Sequence, residues 1–189
     1  MISPENRKSE SPEDFMIEIN LTPFPKLVTD RLVLRELRME DAEEIYLLRS
    51  DESVNALIDR ATATSIEDAY SFINKILSAQ NNNESIMWVI ALKDDPKLIG
   101  TICCWNIVKE KDEAEVGYEL LPPYHGKGIM HEALKKVIAY GFDILKLKKI
   151  VAEPKNINLN SIKLLEKCGF VKVDITDYGY LIYHLNSSH

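Results

Sequence analysis

The segment Glu115-Val-Gly-Tyr-Glu-Leu-Leu-Pro-Pro-Tyr-His-Gly-Lys-Gly-Ile-Met-His-Glu-Ala-Leu134 changes periodicity halfway along. Ala114–Leu121 reads as a strand, and Pro122-Pro123 stops it, since proline carries no ladder donor. Gly126 and Gly128 mark a turn. From Gly128 to Lys146 the apolar residues Met130, Ala133, Leu134, Val137, Ile138, Tyr140 and Ile144 recur at helical spacing. The first turn of such a helix leaves its N–H groups unpaired at a positive dipole end, which favours a phosphate. Two familiar nucleotide motifs fail here. His131 stands where GxGxxG needs its third glycine, and Lys127 is followed by glycine rather than the Ser or Thr of a P-loop.

Strand and helix signals continue on both sides. Upstream, Arg31–Leu37 predicts a strand, Met39-Glu-Asp41 an acidic helix start, and Thr64 or Ser65 the cap of a helix reaching Ile76 or Ala79. Ile86–Leu92 and Leu98–Val108 are β-branched and apolar, parted by Asp94-Asp95-Pro96. Downstream, Ile150–Glu153 reads as a short strand, Ser161–Cys168 as a helix, and Phe170–Val173 with Tyr178–Leu185 as the last strands. With no internal repeat and no internal linker, the chain is expected to be one α/β domain, 25–189, after a polar and mobile tail, 1–24.

Composition sets further bounds. The 189 residues are 46% hydrophobic and 28% charged, the profile of a packed globular chain. No apolar run approaches the ~20 residues of a membrane span, and the opening residues lack the apolar stretch of a secretory signal. A formal charge of −7, from 23 basic and 30 acidic residues, argues against nucleic acid as the main partner and for a cationic small molecule or basic protein segment. Cys103, Cys104 and Cys168 have neither disulfide-framework nor metal-ligand spacing, so buried thiols in a reducing cytoplasm, and no metal, are expected.

Three motifs in order resemble the GNAT acetyltransferase superfamily, in particular its ribosomal-protein-alanine N-acetyltransferase branch. His125-Gly-Lys-Gly128-Ile-Met130 resembles motif A, Gln/Arg-x-x-Gly-x-Gly/Ala, with His125 and Met130 as departures and Glu132-Ala133-Leu134 following as in that branch. Asn158-Leu-Asn-Ser161 through Glu166-Lys-Cys-Gly169-Phe170 resembles N-x-x-S…EK-x-GF. Thr29-Asp-Arg-Leu-Val-Leu-Arg35 resembles its T-x-R-L-x-L-R opening. The resemblance runs from Leu27 to Leu185.

That resemblance implies a mixed, largely antiparallel sheet of six to seven strands with helices on both faces, splayed where acetyl-CoA enters. It implies that the amides around His125, Gly126, Lys127, Gly128, Ile129, Met130 and His131 bind the pyrophosphate. Leu120 and Leu121 would pair with the pantetheine arm, with Asn158 and Ser161 near the thiol. Asn158 and Ser161 also read simply as a helix start. Gly169-Phe170 reads as a helix stop in which Phe170 packs back on Leu165. Leu165 itself occupies the position of the family's general-acid tyrosine, leaving Ser161, water or solvent to protonate the thiolate.

For the base, Glu115 and Glu119 fall on one face of a regular strand, with Glu115 the first choice. Each could equally be a solvated strand charge. His125 and His131 are phosphate neighbours or, slightly favoured, solvent-facing; Lys127 suits a phosphate neighbour better than a catalyst. The expected activity is transfer of acetyl from acetyl-CoA to a primary amine by direct attack in a ternary complex. A protein N-terminal α-amine fits, because its pKa near 7.7–8.0 leaves roughly a tenth neutral at pH 7, against about one part in a few thousand for lysine. A polyamine or aminoglycoside acceptor, and a CoA-binding sensor module without turnover, are the alternatives. Oligomeric state is left open by the sequence.

Overall fold

The computed structural model describes residues 19–187. The strands are β1 (Leu27–Val28), β2 (Leu32–Glu36), β3 (Ile86–Leu92), β4 (Gly100–Val108), β5 (Glu113–Leu120), β6 (Lys149–Ala152), β7 (Val171–Ile175) and β8 (Leu181–Asn186). The helices are α1 (Ala42–Ser50), α2 (Glu52–Asn55), α3 (Ile66–Asn81), α4 (Ile129–Asp143) and α5 (Leu159–Lys167). One sheet holds the strands in the order β1-β2-β3-β4-β5-β6-β8-β7. Every neighbouring pair is antiparallel except β5 with β6. The expected mixed, largely antiparallel α/β sheet is present with one strand more than anticipated. The extra strand, β1, pairs only Leu27 and Val28 with β2, too short for alternation to show.

Side chains of β3 divide between two cores, as strand alternation requires. Ile86, Trp88 and Ile90 join the core under α4 and α5, whereas Met87 and Val89 join the core under α1 and α3. Trp88 is fully buried, donates Nε1–H to the Pro25 carbonyl at 2.7 Å, and meets Tyr140 edge-on with centroids 5.3 Å apart. The expected tail through residue 24 falls largely on residues 1–18, which lie outside the described residues. Of the rest, Ile19 and Leu21 are buried in the α4-side core, so packing begins before residue 25.

Local chemistry sets the helix boundaries that matter for the site. At the start of α3, Asp68 accepts hydrogen bonds from the amides of Thr64 (2.8 Å) and Ser65 (3.2 Å). The end of α5 is a Schellman motif: Phe170 N–H donates to the Leu165 carbonyl and Gly169 N–H to that of Glu166, with Gly169 at φ 89°. Phe170 and Leu165 are both buried, matching the helix stop expected from the sequence. Among the described residues, no helix is long and apolar enough to cross a membrane.

Candidate active site

The parallel pairing of β5 with β6 covers only Glu113–Glu115 against Lys149–Val151. Beyond Glu115 the two strands part, although β5 remains paired with β4 from Glu115 to Leu120 without a register break. Two cavities open at the parting. One, of about 650 Å³, lies between the turn at Tyr124–His131 and α5. The other, of about 780 Å³, lies between β5, α3 and the loop after α2. Leu57, Ile58, Tyr118, Glu119, Asn158 and Ser161 line both, so the cavities meet at the second half of β5.

In the first cavity the turn has the shape of an anion cradle. Gly126 and Gly128 both sit at φ 73°, a left-handed conformation that costs any residue with a Cβ. Gly128 caps α4, and Glu132 is the first residue of the helix to donate, to the Gly128 carbonyl at 3.1 Å. The amides of residues 126–131 find no acceptor among the described residues. A Cβ on Gly126 would meet nothing within 4 Å, leaving the approach to these amides open. Lys163 and Lys167, one turn apart on α5, add positive charge to the same cavity.

The sequence-predicted cofactor residues divide here. Leu120, His125, Gly126, Gly128, Ile129, Met130, His131, Asn158 and Ser161 all line this cavity. Lys127 lies off its wall, with its ammonium over the Tyr124 ring and its carbonyl accepting from Arg31 Nη1 at 3.0 Å. Leu121 packs into the α1–α3 core, because the strand alternation that points Leu120 into the other core turns its neighbour away. His125 is exposed, as favoured from the sequence, and also bonds to the protein: its Nε2 lies 2.7 Å from the Leu120 carbonyl, and since a carbonyl only accepts, Nε2 carries the proton. Burial, reinforced by Lys167 and Lys135, lowers the pKa of His131. Asn158 caps α5, its Oδ1 accepting from Ser161 N–H at 3.1 Å.

Glu115, Gly117 and Glu119 share the face of β5 that lines the second cavity, and the two carboxylates differ sharply there. Burial, then the nearby charge of Glu153, raises the Glu115 pKa to about 7, with a hydrogen bond from Asn106 opposing. Glu119 is an ion-pair partner: its Oε2 lies 2.6 Å from Arg60 Nη1, both side chains are nearly buried, and Thr101 Oγ1 donates to Oε1 at 3.4 Å. Burial pushes the Glu119 carboxyl upward against the pull of Arg60 and Arg49. Between them Gly117 keeps the face clear, since a Cβ there would stand 3.3 Å from Cys103 Sγ. Burial pushes the Cys103 thiol up to about 12 and Cys104 higher still, so neither is a nucleophile.

At the junction, Tyr118 Oη and Ser161 Oγ are 2.7 Å apart. Leu165, one turn further along α5, is fully buried in the core and faces neither cavity. A strand bordering an open splay, a glycine turn with unused amides and a hydroxyl pair thus come together where the two cavities meet. Residues 31–171 match the model of the acetyltransferase (GNAT) domain.

The chain belongs to the GNAT acetyltransferase family.

The N-acetyltransferase YoaA of Bacillus subtilis (strain 168), described as uncharacterized, is 37% identical over 149 residues, 79% of this chain and 84% of that protein. Among solved structures, the microcin C7 self-immunity acetyltransferase MccE, held with acetyl-CoA and AMP, is 27% identical with a TM-score of 0.75 over 88% of this chain and 98% of that one. The ribosomal-protein-S5-alanine acetyltransferase of Vibrio fischeri, at 22% identity, shares the fold with a TM-score of 0.77 over 87% and 97%. The GNAT chain described here is therefore an acetyl-CoA-dependent N-acetyltransferase. Among its described residues no group of three His, Cys, Asp or Glu is placed to hold a metal.

Sequence reasoning about this acetyltransferase missed Tyr118, Arg49, Arg60 and Glu153. Tyr118 lay inside the quoted segment, but its side chain points from the opposite face of β5 to Glu115 and reaches α5, a contact between residues 43 positions apart. Arg49 and Arg60 belong to helix and loop segments without a motif, and only the sheet brings them under Glu119.

Proposed function

We propose that this acetyltransferase acetylates a primary amine by direct attack in a ternary complex, with the acceptor in the β5–α3 cavity and acetyl-CoA in the cavity beside α4. The single observation that carries this reading is the meeting of the two cavities at Tyr118 and Ser161. Acetyl-CoA supplies an acetyl group activated as its thioester; the amine nitrogen gains the carbonyl carbon and the sulfur leaves. The amides of residues 126–131 hold the pyrophosphate with charge-assisted hydrogen bonds of about 1.5–3 kcal/mol each.

Glu115 accepts the proton that the amine must lose. A base with a pKa near 7 is matched to this task at neutral pH, where it is partly ionised and still basic enough to take a proton. Ser161 delivers a proton to the departing sulfur while taking one from Tyr118, hydrogen-bonded to it, and Tyr118 recovers its proton from water in the open cavities, so both hydroxyls end neutral. This pair fills the role left empty by Leu165. Among primary amines, an α-amine, whether of a peptide N-terminus or of a small amino compound, suits the modest base. Three free thiols fit a reducing cytoplasm as the place of action.

The reading is tested by following thiol release from acetyl-CoA over a panel of N-terminal peptides, polyamines and small amino compounds. Turnover dependent on one acceptor class, with no acetylated enzyme isolated in its absence, is expected. Acetyl-CoA binding without turnover of any amine would replace the enzyme by a CoA-binding module.

A further inference from the structure

The acceptor cavity contains a cation that the reaction itself does not use. Arg49, in the last turn of α1, extends its guanidinium over the Phe72 ring, with Cζ 3.9 Å from the centroid. It lines the same cavity wall as Glu119 and Glu115 and is half-buried. Among the described residues its side chain donates no hydrogen bond and makes no ion pair, so five N–H donors stand unused at the edge of the cavity.

Its neighbours do not neutralise it. Arg60 is fully engaged: Nη1 contacts Glu119 at 2.6 Å, Nε donates to Asn55 Oδ1 at 2.8 Å and Nη2 to the Leu48 carbonyl at 3.3 Å. The Arg60–Glu119 pair sums to zero charge, and Glu115 and the exposed Glu153, which line the same cavity, form no ion pair with Arg49. Asp59, on the same cavity wall, is taken by Lys155 at 2.5 Å and by the hydroxyl of Tyr180. Lys75 and Glu84 also line the cavity but are exposed to solvent. Burial and the charge of Arg60 both disfavour the cationic state of Arg49, with Glu119 favouring it, which is the environment an incoming anion relieves.

We infer that Arg49 is a specificity residue that receives an anionic group of the acceptor, so that the substrate is a small amine also bearing a carboxylate or phosphate. Phe72 pre-sets the plane of the guanidinium, which leaves its fork free to take two oxygens side by side. Glu115 and Glu119 are four residues apart on β5, about 13 Å along the strand. The cavity therefore offers a proton acceptor toward one end and a fixed cation toward the other, with Gly117 clear between them. A cavity of about 780 Å³ is of the size that holds a small molecule rather than a folded surface. This inference rests on the acceptor lying in that cavity, as proposed above.

The test compares, at fixed acetyl-CoA, an amino carboxylate series, the matched carboxamides, the matched aminoalkyl phosphates and diamines of equal length, using parent and Arg49→Gln protein. The parent should favour an anionic amine over its carboxamide at least tenfold in kcat/KM, through KM and more strongly at low salt. Arg49→Gln should bring that ratio to within about twofold of one, while Arg49→Lys retains part of it. The carboxylate and phosphate arms identify the anion. Calorimetric binding of the same compounds gives the same ratio without turnover, so inactivity toward every amine would overturn the catalytic proposal and still leave this one measured. A parent that binds or acetylates diamines as well as amino carboxylates, or an Arg49→Gln variant that keeps the anion preference, would overturn it.

Discussion

Arg31 donates to Glu132 twice across 101 residues of sequence, from its backbone amide to Oε1 at 2.9 Å and from Nε to Oε2 at 2.6 Å. Thr29 Oγ1 adds a third bond to Oε1 at 2.6 Å, and Arg31 Nη1 reaches the Lys127 carbonyl. The opening motif and the helix that follows the Gly126–Gly128 turn are thus one structural unit. Glu132→Ala should cost about 1–3 kcal/mol in denaturant unfolding, since it orphans these donors. Burial raises the Glu132 pKa, but the bonds from Thr29 and Arg31 outweigh it and the net shift is downward. Its stabilising contribution is therefore present above the unfolded carboxylate pKa and lost as pH falls through the lower folded value. Parent and Glu132→Ala should converge in stability as pH falls below the lowered Glu132 pKa.

Glu115 makes the pH profile of the enzyme diagnostic. With a pKa of about 7, its acid limb in kcat/KM should rise between pH 6 and 8, and Glu115→Gln should remove that limb while acetyl-CoA affinity stays near the parent value. Glu153→Gln removes a charge that raises this pKa, so the limb should move to lower pH. Stability moves the other way. A carboxyl raised in the folded state stabilises below its unfolded pKa and loses that contribution as pH rises through about 7. Glu115→Gln should therefore gain melting temperature over the parent at pH 8 and show no gain at pH 4. A limb unmoved by both substitutions would assign the proton to solvent.

Glu119→Gln is expected to behave as a folding lesion. It would strand the nearly buried Arg60 charge and cost about 3 kcal/mol. Adding Arg60→Met should recover part of that stability in thermal unfolding, which the loss of a catalytic base would not do.

Tyr118 and Ser161 should act as a unit. Ser161→Ala should lower kcat by about a hundredfold and Tyr118→Phe by about tenfold, each with little change in KM for the acceptor. The double variant should be no slower than Ser161→Ala alone, because Tyr118 acts through the hydroxyl 2.7 Å away. Additive losses in steady-state rates would separate the two residues.

Gly128→Ala tests the cradle. At φ 73° the added Cβ costs roughly 1–2 kcal/mol of strain, and it would lie 3.5 Å from the Arg31 guanidinium. Acetyl-CoA affinity, measured by titration of the folded variant, should fall about tenfold while the second cavity is untouched.

Most of the fold was legible because its signals are local. The Pro-Pro stop, the left-handed glycines, the capping Asn158 and the Gly169-Phe170 helix stop each act within a few residues, and each stands where the sequence placed it. The two short elements, β1 and α2, were not legible, since two or four residues carry no measurable period. Alternation placed Glu115 and Glu119 on one face but could not tell them apart. What distinguishes them is Arg60 beneath one and Glu153 beside the other, both brought in from distant segments.

The sequence by itself determined the family, the strand–turn–helix around Gly126 and Gly128 and the leucine at position 165, because each depends on the order and type of neighbouring residues. Only the tertiary structure decided that Tyr118 reaches Ser161, that His125 braces Leu120 and that Glu119 is already paired. It also placed a cation without an ion pair where neither sequence motif nor net charge pointed to one. The chain carries a net −7, which attracts cations at long range, and acids outnumber bases around the β5–α3 cavity, yet among the described residues Arg49 makes no ion pair there. Net charge averages over a whole surface, whereas recognition answers to the few groups within a few ångströms, and those are assembled by the fold.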